Sequence, residues 1–136
     1  MAAGRPVRAR LRASRWPRAT ERAALLHAKR CLDRLALYPR AVDLGGLRAL
    51  TVPTLFRVPG FRRFDGYATR RLLLFRRPPE QVSAGLFVHE LCHVWQMQHR
   101  PWRMWLSYCR PRTFGSGYGD NPYEVEARRA AALTRG

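Results

Sequence analysis

An α+β fold is the expectation from the order of hydrophobic periodicities along these 136 residues. Leu25, Ala28, Leu32 and Leu35 recur at helical spacing, two runs rich in strand formers follow between Leu47 and Arg76, and two further helical segments close the chain. A chain of this length forms one domain that buries about two-thirds of its unfolded surface, so its core needs no disulfides.

Met1–Arg18 carries Arg5, Arg8, Arg10, Arg12, Arg15 and Arg18 with no acid, and reads as a disordered basic arm ahead of a domain over 19–136. A transit peptide would share that composition. From Ala19 to Leu37 the leucine pattern gives an amphipathic helix that ends before Pro39. Leu47–Val58 and Tyr67–Arg76 are separated by Pro59-Gly60 through Asp65-Gly66, which suggests two strands in a hairpin with a long loop. Pro53 inside the first run argues for an edge or bent strand. Arg77-Pro78-Pro79-Glu80 then punctuates the chain, and a helix follows to about His99, stopped by Pro101. Trp102–Gly119 is a connector whose Trp102, Trp105, Tyr108, Phe114 and Tyr118 serve mostly in packing, with Gly115, Gly117 and Gly119 as a flexible loop. Asn121 as N-cap and Pro122 at the first helical position open the last helix.

The run Phe87-Val88-His89-Glu90-Leu91-Cys92-His93-Val94-Trp95-Gln96 contains the H-E-x-x-H pattern. Two histidines four apart lie one turn apart on the same helix face, so two imidazoles can reach one metal while Glu90 lies beside the open position as general base for a zinc-activated water. The triplet alone recurs by chance in about one chain in a few hundred of this size, so the flanks must carry weight. At about 100° per residue, Phe87, Leu91, Val94 and Trp95 fall opposite His89 and His93, and Gln96 extends the histidine stripe. Cys92 lies within the motif as a small apolar filler.

A catalytic zinc site of this kind takes three protein ligands. His27 lies far upstream, and His99 points about 120° away from His93 around the helix. The last helix offers Glu124 and Glu126 in its first turns, which differ by about 200° and cannot share a face. Asn121 followed by Glu124 also fits a capping box, in which the glutamate returns to the N-cap amide, so ligand and cap both stand as readings of Glu124. Tyr118, just before this helix, is the candidate oxyanion stabiliser.

His89-Glu90-x-x-His93-x-x-Gln96 with a later Glu124-x-x-Ala127 resembles the gluzincin-type zincins in their smallest form. It is also similar to the metallopeptidase-like domains found with bacterial contractile injection systems. The matching motifs cover about the last fifty residues, and upstream only the element order agrees. The resemblance implies a minimal zincin-like fold, with an N-terminal helix, a short hairpin or sheet, the H-E-x-x-H helix and a C-terminal glutamate helix. It implies Zn2+ held by His89, His93 and Glu124, Glu90 as the catalytic base, and Tyr67–Arg76 as an edge that pairs with an extended substrate. The chain departs from the family at Arg128, where many gluzincins carry an acidic residue that buttresses a ligating histidine.

The net charge of +17 comes almost wholly from arginine, with Lys29 the only lysine. No helix-turn-helix, zinc-finger or RNA-recognition signature accompanies it, so the charge implies non-specific attraction to polyanions rather than sequence-specific nucleic-acid recognition. Cys31, Cys92 and Cys109 are scattered and odd in number, which favours a reducing compartment. No apolar run approaches a membrane span and no signal-peptide core is evident, so a cytoplasmic protein is expected. The function expected from the sequence is a zinc metallopeptidase acting on a peptide or protein substrate. Two alternatives stand beside it: a catalytically weak zincin-like assembly module of a larger bacterial system, and a basic nucleic-acid-associated protein with a structural zinc site.

Overall fold

Trp16 is the apolar residue that brings the N-terminal arginine run onto the domain. In the computed structural model, which describes residues 13–99 and 121–133, Ser14–Arg15 forms strand β1 and Trp16 is only 5% exposed. Its indole packs on Phe75 and Phe87 at ring separations of 5.1 and 5.5 Å, and its Nε1 donates to Thr51 Oγ1 at 3.0 Å. The basic arm expected over Met1–Arg18 therefore ends earlier, since one indole buries about 150–250 Å² and outweighs the charge of its neighbours, which stay in solvent.

Helix α1 (Arg18–Leu35) starts directly after Pro17 and buries Leu25, Ala28 and Leu32, as their spacing predicts. Its first turn is tied to the sheet by Glu21, which accepts from the Ala49 amide at 2.9 Å and from Arg48 Nη1 at 3.4 Å. It ends at Ala36, whose backbone turns left-handed with φ 50°.

Strand β2 (Arg48–Thr51) pairs antiparallel with β1 and parallel with β4 (Leu72–Phe75), and β4 pairs antiparallel with β3 (Gly66–Ala68). The sheet order is β1-β2-β4-β3. This corrects the expected hairpin between Leu47–Val58 and Tyr67–Arg76. β2 stops at Thr51 ahead of Pro53, a short 3-10 turn at Leu55–Arg57 buries Phe56, and the real hairpin is β3-β4 inside the second run. Strand β2 is consequently interior rather than an edge. β4 is interior as well, which narrows the edge expected over Tyr67–Arg76 to β3. Ala49, Thr51, Leu73 and Phe75 alternate onto one buried face of the sheet.

Helix α2 (Ala84–His99) is capped by Ser83, whose Oγ accepts from the Leu86 amide at 3.0 Å. It packs between α1, the sheet and α3 (Pro122–Leu133), and buries Phe87, Val88, Leu91, Cys92, Val94 and Trp95. Its polar stripe is also covered, because α3 presents Ala127, Ala130 and Ala131 and these small residues let the two helices approach closely. These elements make a mixed α+β fold, with three α-helices and one four-stranded sheet among the described residues. No helix among them is long and apolar enough to cross a membrane.

Candidate metal centre

Helical periodicity carries His89, Glu90, His93 and Gln96 along the covered stripe of α2, and the first turn of α3 delivers Glu124 against them. Asn121 sets that turn, its Oδ1 accepting from the Tyr123 amide at 2.9 Å. A carboxylate in a helix's first turn is also favoured by the exposed amides and the helix dipole.

His89 Nε2 lies 2.8 Å from Glu124 Oε1, His93 Nε2 lies 3.1 Å from Glu124 Oε2, and the two ring nitrogens are 3.2 Å apart. Both histidines thus point their Nε2 atoms at one carboxylate. Tetrahedral donors held about 2.0–2.1 Å from zinc stand about 3.4 Å from each other. The three separations here are slightly shorter, so a small outward movement would admit an ion. Two imidazoles and one carboxylate, with potential ligand atoms all within 4.8 Å of one another, form a group that could hold a metal ion.

Electrostatics favour a cation there. Glu90, Glu124 and Glu126 are three of only nine acids in a chain of net charge +17, and they gather around this point. Burial pushes the Glu124 carboxyl up, but hydrogen bonds from His89 and His93 outweigh it and hold the group well below the usual carboxylate range. Burial pulls His93 down, yet its contacts with Glu124 and the nearby charge of Glu90 raise its proton affinity above the ordinary imidazole value. Glu90 is 5% exposed, and burial raises its pKa against the pull of His93 and His89. The Cys92 thiol is fully buried and pushed up by that burial and by the surrounding glutamates, so it stays protonated, in keeping with a filler.

Glu126 takes a different place. It accepts from Tyr38 Oη at 2.6 Å and from Gln96 Nε2 at 3.1 Å, and belongs to no group of potential ligands among the described residues. Tyr118 and the aromatic connector lie outside the described residues. Two participants escaped sequence reasoning. Tyr38 closes a polar chain into α2 from 88 residues away, a distance no local pattern spans. Gly66, expected to be part of a turn, lies in β3 so close to Glu90 that a Cβ there would come within 3.0 Å of its Cγ and 3.1 Å of its Oε1. The isolated glycine beside a strand-forming run was the available signal.

No protein-family model, curated protein or solved structure matches this chain.

Proposed function

We propose that this chain is a small zinc-dependent hydrolase that cleaves peptide bonds. The observation that carries the reading is the convergence of His89, His93 and Glu124 with Glu90 buried beside them. His89 Nε2, His93 Nε2 and the Glu124 carboxylate would hold the ion. Zinc, when bound, supplies a Lewis acid that acidifies water and polarises a carbonyl group.

The protein's own groups support the remaining steps. Glu90 takes the proton released as water attacks the carbonyl and passes it to the leaving amine, and its raised proton affinity suits that transfer. Glu124 balances the charge of the ion from the α3 side. β3 is the terminal strand of the sheet and passes directly over Glu90 at Gly66, so an extended peptide pairing along β3 would bring its backbone close to the base. Backbone pairing gives affinity without demanding a particular side chain.

The test joins metal analysis to one substitution. Purified protein is expected to carry about one zinc per chain, and Glu90→Gln is expected to keep the metal while losing hydrolysis of unfolded peptides. A chain that takes up no zinc refutes the reading at its base. Loss of zinc from the Glu90→Gln variant would make Glu90 a ligand and refute its role as base.

A further inference from the structure

We propose that Gln96 is a positioning residue that holds His93 with its Nδ1 protonated and its Nε2 turned to the metal position, and that Glu126 and Tyr38 fix the amide orientation this requires. The inference rests on the reading of His89, His93 and Glu124 as metal ligands.

An amide end can be either oxygen or nitrogen, so the partners decide. One end of the Gln96 side chain lies 2.9 Å from the Tyr123 carbonyl oxygen and 3.1 Å from Glu126 Oε1. A backbone carbonyl can only accept. Glu126 Oε1 already receives the Tyr38 hydroxyl proton at 2.6 Å and acts as an acceptor too. That end of Gln96 must therefore be the NH2 group, and both of its hydrogens are used. The other end is the carbonyl oxygen, 2.8 Å from His93 Nδ1. Because that oxygen can only accept, Nδ1 must carry the hydrogen. A neutral imidazole has a single N–H, so Nε2 is left with the lone pair that a metal needs.

Gln96 is fully buried, and each of its polar atoms has a protein partner. Reversing the amide would set its oxygen against two acceptors and its NH2 against the Nδ1–H, with no water to relieve either clash. The bond from a ligating histidine's second nitrogen to an outer acceptor fixes its ring plane and tautomer, and losing such a partner typically costs about 10–100-fold in metal affinity. Here the acceptor comes from the same helix, three residues on, and its orientation is set by two other elements, α3 through Glu126 and Tyr123, and the segment after α1 through Tyr38.

The experiment uses the full chain with Gln96→Leu, which keeps bulk and removes both polar ends. Zinc affinity by competition titration is expected to fall by about 10–100-fold. The His93 Nδ1–H proton, followed by 1H–15N correlation on labelled imidazoles, is expected to exchange slowly in the parent chain with or without zinc, and fast in the variant. Two further variants keep the test sharp if Gln96→Leu does not fold. Glu126→Ala removes the acceptor that orients Gln96 and should cost several-fold in zinc affinity, whereas Glu126→Gln retains an oxygen for Tyr38 and Gln96 and should restore it to within about twofold. A purely structural role would lower stability without altering exchange at Nδ1. Unchanged zinc affinity in both Gln96→Leu and Glu126→Ala, or coordination through Nδ1, overturns the proposal. Failure of the parent chain to bind zinc would instead refute the metal site itself.

Discussion

Replacing Trp16 with alanine asks how far the N-terminal arginine run belongs to the fold. The indole is 5% exposed, lies against Phe75 and Phe87, and donates to Thr51 Oγ1. Burying about 150–250 Å² at about 25 cal/mol per Å², reduced for what alanine retains and for compactness of the unfolded chain, gives about 3–5 kcal/mol, in line with large-to-small aromatic substitutions in cores. The lost hydrogen bond adds little, because the Thr51 hydroxyl still donates to the Arg77 carbonyl at 3.0 Å. For a domain of this size the change corresponds to a fall of about 10–20 °C in Tm. Trp16→Phe should cost about 1–2 kcal/mol, since it keeps most of the ring contact and loses the indole donor. Thermal unfolding followed by circular dichroism measures both. A Trp16→Ala variant melting within 3 °C or so of the parent would show that the N-terminal segment is not docked and that the charge-based boundary at Arg18 was the better description.

The remaining predictions concern the metal centre. Glu124→Ala should weaken zinc affinity by well over 100-fold, while Glu126→Ala should cost only several-fold; zinc titration of both would reverse the assignment if Glu126→Ala proved the more damaging. Gly66→Ala places a methyl group 3.0–3.2 Å from the Glu90 side chain. It should lower peptide hydrolysis at least tenfold and stability by about 1–3 kcal/mol, with zinc affinity nearly retained, and full activity in steady-state assays would remove Glu90 from the chemistry. The pH dependence follows from two opposite shifts. Glu124 is held low, so its contribution to stability is present above the ordinary carboxylate value and fades as pH falls through its folded value. His93 is raised, so its contribution is present below the ordinary imidazole value and fades as pH rises through its folded value. In metal-free protein the pair should therefore stabilise most between about pH 4.3 and 6.5. Zinc must displace the His93 proton, so the zinc-induced rise in Tm should grow with pH, and a gain independent of pH across that range would argue that His93 is not a ligand.

The sequence by itself determined the features that live in local periodicity. The helix containing Leu25, Ala28 and Leu32, the capped starts at Ser83 and Asn121, and the placing of His89 and His93 on one face all follow from turn spacing and capping chemistry over a few residues. Tertiary structure decided what depends on long-range pairing. Charge averaged over the first eighteen residues hid Trp16, because only the cavity formed by Phe75, Phe87 and Thr51 makes its burial worthwhile. Two strand-forming runs in succession suggested a hairpin, but nothing local distinguishes antiparallel return from the parallel register of β2 on β4. Glu124 and Glu126 sit in the same helical turn with the same chemistry. The packing of α3 on α2 alone sends Glu124 to His89 and His93 and Glu126 to Gln96 and Tyr38, since residues two apart leave a helix in opposite directions and meet different neighbours.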